Sequence, residues 1–226
     1  MNAFKYGLIG STGKLGNEVK QVFSENKWEL VFEQAIGIEK QDAVPQLLID
    51  CSLPENFFKA ISFASRFKSP LIVATTGLSQ NHFEDLKKIS NSIPIVQSYN
   101  YSIGIQILLK LAKEVETYAK DWDVEILETH HRFKKDKPSG TAIMLANSLE
   151  KENVIISSQR LGNVFGEHTI RFGGLGEIIS ISHSATSRRT FADGIFLSAQ
   201  FILNKKNGLF SFTDVVQSSY KLNIKM

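Results

Sequence analysis

Short apolar segments alternate with amphipathic segments through the first hundred residues. The apolar runs predict strands at 4–9, 29–32, 46–50, 71–74 and 94–97. Apolar residues recur at helical spacing over 14–24, 55–67 and 80–90. Ser52 and Glu55 predict a capping box before the second of these helices. Strands and helices that alternate over short connections are typical of a parallel sheet covered on both faces, so this half is predicted to be α/β.

The pattern changes after a turn at residues 100–104. Helices are predicted at 103–119, 142–149 and 190–203, and strands at 124–129, 154–160, 168–172 and 177–183. Only some of these strands alternate with helices, so we expect an α+β region with an open sheet of mixed direction. The turn at 100–104 is the sharpest candidate for a domain boundary.

Composition excludes several classes of protein. The 226 residues are 42% hydrophobic and 22% charged, which excludes wholesale disorder. The single cysteine, Cys51, excludes an internal disulfide and favours a reducing compartment. The net charge of +3 and the lack of an apolar run near ~20 residues lead us to expect neither a nucleic-acid partner nor a membrane partner.

A glycine-rich turn joins the first strand to the first helix. The sequence GSTGKLG runs from Gly10 to Gly16 and includes Lys14. Glycines there permit a tight turn and the close approach of a phosphate, which the free N–H groups of the helix start can bind. The spacing is GxxGxxG rather than the commoner GxGxxG, and the alternative interpretation is an ordinary tight turn. The segments 75–77 and 98–102 follow strands at the sheet edge where ligands bind, although each alone is more typical of a plain turn.

The segment 129–142 is the most informative part of the chain. His130 and His131 end a predicted strand, and six potential cations lie between His130 and Lys137. Pro-Ser-Gly-Thr then begins a helix, whose free N–H groups favour an anion. This arrangement suits a small dianionic substrate and a histidine that transfers protons near neutral pH, whereas the alternative is a solvated basic loop. Adjacent histidines on a strand point to opposite faces, so we predict no metal site.

Together these segments resemble the 4-hydroxy-tetrahydrodipicolinate reductase (dihydrodipicolinate reductase) family over nearly the whole chain. The most specific match is ETHHRFKKDKPSGTA at 128–142. Four further motifs occur in the family's order: GSTGKLG at 10–16, ATTG at 74–77, NYSIG at 100–104 and SRRTFADG at 187–194. Five ordered motifs make a chance match very improbable.

The resemblance implies a fold and an activity. It implies a Rossmann-like dinucleotide-binding domain over 1–101, joined by the C-terminal segment 191–226, and a substrate-binding and oligomerisation domain over 102–190. It implies reduction of 4-hydroxy-tetrahydrodipicolinate, a small dicarboxylate, to tetrahydrodipicolinate by hydride from NADPH or NADH in diaminopimelate and lysine biosynthesis. It further implies a cytoplasmic homotetramer.

The resemblance also assigns site residues. His130 matches the general acid, and Lys134 matches a substrate contact that assists proton transfer. The expected substrate contacts are His131, Lys134, Ser139, Gly140 and Thr141. The expected cofactor contacts are Gly10, Ser11, Thr12, Gly13, Lys14, Leu15, Ala74, Thr75, Thr76, Ser98, Tyr99, Asn100, Tyr101 and Arg188.

Departures from the family pattern concern the cofactor. Ala74 stands where the family usually has glycine, and Ala35 stands where it commonly has an acid for the adenosine ribose. We therefore expect both cofactors to work. Two alternatives stay open: a reductase of the same fold that acts on another dicarboxylate, and a non-catalytic NAD(P)-sensing protein. A non-catalytic sensor is expected to lack His130 or Lys134, and both residues are present in this sequence.

Overall fold

The chain folds into two compact units. The computed structural model describes residues 3–223, with side chains for 3–219. Unit 1 comprises Met1–Tyr101 and Arg188–Met226, and unit 2 comprises Ser102–Ser187. Residues 1–2 and 224–226, which the sequence assigns to the first domain, lie outside the described residues. In the described part of the chain, no helix combines the length and the apolar character that crossing a membrane requires.

The secondary structure alternates in unit 1 and becomes strand-rich in unit 2. The strands are β1 (Lys5–Ile9), β2 (Glu29–Ala35), β3 (Ile38–Gln41), β4 (Leu47–Asp50), β5 (Leu71–Val73), β6 (Pro94–Gln97), β7 (Asp123–His130), β8 (Ile155–Arg160), β9 (Glu167–Gly173), β10 (Ile178–Ser184) and β11 (Gly208–Ser211). The α-helices are α1 (Lys14–Glu25), α2 (Phe57–Phe67), α3 (Gln80–Ile89), α4 (Ile103–Tyr118), α5 (Gly140–Asn147), α6 (Arg189–Ile202) and α7 (Phe212–Asn223).

Unit 1 is a seven-stranded sheet in the order β11-β6-β5-β4-β1-β2-β3. All neighbouring strands are parallel except β2 and β3, which are antiparallel. Successive strand residues point to opposite faces. Leu8 accordingly packs with α1, α6 and α7, whereas Ile9 packs with α2 and α3. The Rossmann-like prediction, a largely parallel sheet covered on both faces, is confirmed.

Some local predictions in unit 1 are wrong. The capping box does not form, because the Ser52 hydroxyl donates to the Asp50 carboxylate at 2.5 Å, and a short 3-10 helix, Pro54–Asn56, precedes α2. Asp50 is fully buried, so its oxygens require hydrogen-bond donors, and the nearest hydroxyl supplies one. The strands β3 and β11 and the helix α7 were not predicted.

Unit 2 is a four-stranded sheet in the order β10-β9-β7-β8. The strands β7 and β8 are parallel, and the other pairs are antiparallel, which confirms the predicted mixed sheet. One face packs against α4 and α5 through residues such as Ile126, Ile170 and Leu145. The opposite face exposes side chains that include Ile155 and Ile178.

Candidate active site

The strand β7 brings a carboxylate and an imidazole together on its covered face. Val124 and Ile126 are buried on this face, and the period of two along a strand continues the same face with Glu128 and His130. Glu128 is fully buried and His130 is 8% exposed. Because the two side chains leave the same face two residues apart, the Nδ1 atom of His130 is bonded to the Glu128 carboxylate.

Neighbouring strands supply two more polar side chains. In the strand register, Arg160 on β8 lies opposite His130, and His168 on β9 lies opposite Glu128. The second carboxylate oxygen of Glu128, Oε1, accepts a hydrogen bond from Arg160 Nη2 at 2.9 Å. An ionised carboxylate only accepts hydrogen bonds, so His130 donates through Nδ1, and its Nε2 takes no part in this bond.

Burial and charge set the ionisation of this pair. Burial raises the pKa of Glu128, but hydrogen bonds from Arg160, Ser158 and His130 outweigh burial and leave that pKa below its ordinary value. Burial lowers the pKa of His130, and the charges of Lys134 and Arg160 lower it further, although Glu128 opposes the shift. Glu128 is therefore a carboxylate, and a proton on His130 is more acidic than on a free imidazole.

The basic loop after β7 holds Lys134 near a carboxylate. Its backbone N–H donates to the carbonyl of His131 at 3.1 Å, which closes a turn. Its Nζ lies 2.8 Å from Asp136 Oδ1, and the two side chains are 19% and 44% exposed. The lysine is thus partly shielded from water but accessible. The neighbouring His131 is half-buried.

The loop ends at the N-terminus of α5. Ser139 caps this helix, with its hydroxyl accepting from the Ala142 N–H at 3.2 Å. The helix begins at Gly140, and the next residue, Thr141, is buried. The Ser139 hydroxyl is also 3.4 Å from His168 Nε2. Burial, followed by the charge of His130, lowers the pKa of His168 to about 3, so His168 is neutral at physiological pH.

The same cluster has a spacing that could hold a metal ion. Ligand atoms of Glu128, His130 and His168 lie within 4.8 Å of one another. Both oxygens of Glu128, however, are already bonded, one to His130 and one to the guanidinium of Arg160. Hydrogen bonds therefore account for the cluster without an ion, and the lack of a metal stays a prediction.

The turn between β1 and α1 in unit 1 fits the pyrophosphate of a dinucleotide. Gly10 has φ +79°, and a Cβ there would lie 2.6 Å from the carbonyl oxygen of Cys51. A Cβ at Gly16 would lie 2.3 Å from the Gly10 carbonyl oxygen. Ser11 is fully buried, and its hydroxyl has no hydrogen-bond partner among the described residues. Among the residues that the structure describes, no side chain caps α1 at Gly13. The backbone N–H groups of the first turn of α1 are therefore left for an anion.

A cavity of about 790 Å³ lies beside this turn. Its walls include Gly10, Gly13, Ala35, Cys51 and Lys59. The position at the carboxyl ends of β1, β2 and β4 is where open parallel sheets bind nucleotides. The side chain of Ala35 gives this cavity neither a hydrogen-bonding group nor a charge.

The other expected cofactor residues follow β5 and β6. Thr75 is buried and donates to Asp50 at 2.8 Å, whereas Thr76 is exposed. The Ser98 hydroxyl donates to the Asn100 carbonyl at 2.7 Å, which shapes the turn after β6. The hydroxyl of the buried Tyr101 donates a hydrogen bond to the carbonyl of Val73, the last residue of β5, at 2.9 Å. Tyr101 therefore packs at the carboxyl end of this strand.

The remaining predicted cofactor positions differ in exposure and in their place in the chain. The exposed residues are Thr12, Gly13 and Lys14, and the half-buried residues are Leu15, Ala74 and Tyr99. Arg188 stands directly before α6, where the chain returns to unit 1. A cofactor contact at each of these positions stays a prediction.

Sequence reasoning did not place Glu128, Arg160, Gly166 or His168 in the site, and it interprets His168 as a structural histidine. A signal for Glu128 exists, since it precedes His130 by two residues and shares its face. Arg160 and His168 join the site only through strand register. Gly166 lies against the catalytic candidate, because a Cβ there would be 3.1 Å from His130 Nε2. The sequence shows it only as one glycine among several.

Comparison with known proteins covers both halves of the chain. The family model described as "Dihydrodipicolinate reductase, N-terminus" matches residues 31–101, and that described as "Dihydrodipicolinate reductase, C-terminus" matches residues 104–216. The 4-hydroxy-tetrahydrodipicolinate reductase of Thermosipho africanus is 41% identical over 220 residues, which cover 96% of this chain and 99% of that protein. The protein of the same name from Rickettsia rickettsii is 39% identical over 232 residues and covers 92% and 97% of the two chains.

Solved structures show the same fold. A dipicolinate-bound dihydrodipicolinate reductase from Paenisporosarcina sp. TG-14 aligns with a TM-score of 0.70 at 21% identity, covering 93% of this chain and 98% of that one. A probable dehydrogenase from Thermotoga maritima aligns with a TM-score of 0.64 at 10% identity, covering 94% and 92%. From the family models and the close relatives, the chain belongs to the 4-hydroxy-tetrahydrodipicolinate reductase (dihydrodipicolinate reductase) family.

Proposed function

We propose that the chain reduces 4-hydroxy-tetrahydrodipicolinate to tetrahydrodipicolinate with NADPH or NADH, in diaminopimelate and lysine biosynthesis. The observation that carries the proposal is the buried His130, whose Nδ1 is bonded to Glu128 at the start of a basic loop. This loop contains Lys134 and ends at the N-terminus of α5. The site therefore combines a proton donor with two kinds of anion-binding group.

The substrate's two carboxylates require positive partners. Lys134 can bind one carboxylate in place of Asp136, because its ammonium group makes a charge-assisted hydrogen bond with either. The helix start at Ser139, Gly140 and Thr141 offers N–H groups to the other carboxylate. His131, at the start of the loop, is proposed as a further contact.

Proton transfer is assigned to His130. Loss of the substrate's hydroxyl as water gives a conjugated imine. Addition of hydride to this imine leaves a negative charge, which a proton must neutralise. A proton donor is most effective when its pKa lies near the working pH. The two negative charges of the bound substrate raise the pKa of His130 toward that range, which offsets the lowering by burial. Lys134 assists through its charge.

Unit 1 is proposed to hold the nicotinamide cofactor. The orphaned hydroxyl of Ser11 and the glycine turn at Gly10 and Gly13 fit a pyrophosphate, with Lys14 as an added cation. The cavity beside Ala35 fits the adenosine end. When bound, the cofactor supplies the hydride, while the chain supplies orientation and charge.

The test is cofactor oxidation, followed at 340 nm, with freshly generated 4-hydroxy-tetrahydrodipicolinate. We expect oxidation of NADPH and of NADH that depends on this substrate. Other cyclic and open-chain dicarboxylates, assayed in parallel, test the alternative of a different substrate. A protein that binds NADPH in calorimetry but oxidises it with none of these substrates would instead be the NAD(P) sensor.

We further propose a homotetramer in the cytoplasm. The uncovered face of the unit 2 sheet supports self-association, because it exposes Ile155 on β8 and Ile178 on β10, together with short polar side chains such as Ser180 and Ser182. The free thiol of Cys51 is compatible with a reducing compartment.

Light scattering coupled to gel filtration should give four times the 25.3 kDa chain mass. Replacing Ile155 and Ile178 together by aspartate should reduce that mass, and an unchanged mass would refute this surface as the interface.

A further inference from the structure

Arg160 joins two parts of the candidate site through one guanidinium group. Its Nη2 donates to Glu128 Oε1 at 2.9 Å and to the Asp136 carbonyl at 2.5 Å. Its Nε donates to the Lys134 carbonyl at 3.2 Å, and its Nη1 donates to the Gln159 carbonyl at 2.6 Å. The side chain is 14% exposed; its bonds to Glu128 and to the Lys134 carbonyl are partly buried, whereas those to the Asp136 and Gln159 carbonyls are exposed. One arginine thus contacts both the carboxylate of Glu128, which is bonded to His130, and the backbone of the basic loop.

We propose that Arg160 is a positioning residue that couples the orientation and proton affinity of His130 to the placement of Lys134. The inference rests on the proposed function, in which these two residues act on one substrate. Arg160 reaches His130 through the carboxylate of Glu128, and it reaches Lys134 through the loop backbone. It is not proposed to touch the substrate.

The fork shape of the guanidinium is essential to this role. A planar guanidinium presents five donors in fixed directions, whereas a lysine ammonium is a compact point charge. A lysine at position 160 could still neutralise Glu128, but it could not also hold the carbonyls of Lys134 and Asp136 in the observed arrangement. Charge and geometry can therefore be separated by substitution.

The charges around His130 fix the direction of the expected pH effect. The charged and titratable groups facing its ring are Glu128, Lys134, Arg160 and His168. Removal of the positive charge at Arg160 leaves the Glu128 carboxylate less neutralised, so His130 binds its proton more tightly. The alkaline limb of the pH profile, where His130 loses its proton, should then move to higher pH.

The experiment compares Arg160→Gln, Arg160→Lys and a control, Arg66→Gln, in the full-length protein. Arg66 lies near the end of α2 in unit 1, with its guanidinium over the Phe67 ring. The measurements are kcat and KM for 4-hydroxy-tetrahydrodipicolinate across pH, and the titration of the His130 ring by ¹⁵N NMR. We expect Arg160→Gln to raise KM about tenfold or more, through release of the Lys134 loop, and to move both pH curves to higher pH.

Arg160→Lys should keep the position of the pH curves but still raise KM. The control should match the wild type in every measurement. A uniform loss of rate in Arg160→Gln, with the pH profile and the NMR titration unmoved, would overturn the proposal. If Arg160→Gln does not fold, an Arg160→Lys variant with wild-type KM would overturn it equally.

The NMR titration separates this inference from the proposed function. The ring titration of His130 needs neither substrate nor cofactor, so it reports the coupling to Arg160 even in a protein without turnover. A wild type that lacks activity would refute the proposed reaction. An NMR curve that is identical in wild type and Arg160→Gln would refute the coupling.

Discussion

Lys134 offers a prediction in which two neighbouring substitutions act in opposite directions. Its ammonium group lies 2.8 Å from the Asp136 carboxylate, so the lysine has an internal partner before any substrate binds. A substrate carboxylate must therefore replace Asp136. Lys134→Ala removes the cation that binds the substrate, whereas Asp136→Asn removes the competitor.

The magnitudes follow from the exposure of the two groups. A lost hydrogen bond to a charged group costs about 1.5–3 kcal/mol, which is about 13- to 160-fold in kcat/KM for Lys134→Ala at 1.36 kcal/mol per decade. The Asp136 side chain is 44% exposed, so its pairing with Lys134 belongs with surface ion pairs. Such pairs contribute about 0.2–1 kcal/mol, so Asp136→Asn should lower KM by about 1.4- to fivefold.

Steady-state kinetics at low and high salt provide the assay. Wild-type KM for the dicarboxylate should rise with ionic strength, and Lys134→Ala should flatten that dependence because a cation of the site is gone. Lys113→Ala, an exposed lysine on α4, serves as the matched control and should behave as wild type. Equal kcat/KM for Lys134→Ala and the control, or a higher KM for Asp136→Asn, would refute the assignment of Lys134 as the carboxylate partner.

Three further predictions test other parts of the molecule. His130→Gln should lower kcat by ~10²–10⁴-fold with little change in KM, and a wild-type kcat would remove His130 from proton transfer. Burial and the charge of His130 lower the pKa of His168 to about 3. Between that value and the ordinary histidine pKa of ~6.5, only the unfolded chain binds the proton, so stability falls as pH falls through this range. Urea unfolding should show that between pH 6.5 and 5 the free energy of unfolding falls by about 1.6 kcal/mol less in His168→Gln than in the wild type, and equal losses would contradict a neutral buried ring. Ala35→Asp should weaken NADPH binding relative to NADH in calorimetry, and Lys59→Ala should do the same; a wild type that already prefers NADH about a hundredfold would show that another acid meets the ribose.

Local sequence patterns were enough to predict most of the sheet and the loop that carries the proposed chemistry. The strand that ends at Ile9 and the glycine turn after it are determined by residues close together in the sequence. The same is true of the segment that carries His130 and of the helix start at Ser139. Buried parallel strands are short apolar runs, and β4, with four buried residues, is an example. Such features leave a signal within a few residues.

The missed elements had no comparable signal. All residues of β3 are exposed, so its sequence IEKQ has no apolar face, and it is a strand because it pairs with β2. The four residues of β11 form an edge strand through pairing with β6. In the site, Arg160 and His168 come from strands that only the register of the sheet brings beside β7. The predicted cap at Ser52 is absent because the Ser52 hydroxyl instead donates to the buried carboxylate of Asp50.

The most direct measurement is the fate of the hydride. Each of the two NADPH diastereomers deuterated at nicotinamide C4 is incubated with the protein and fresh 4-hydroxy-tetrahydrodipicolinate, and the product is analysed by mass spectrometry. If the chain is a reductase of this substrate, one diastereomer places its deuterium in tetrahydrodipicolinate, and His130→Gln slows the appearance of the label. If both diastereomers are oxidised and neither leaves deuterium in that product, the proposed reaction is contradicted.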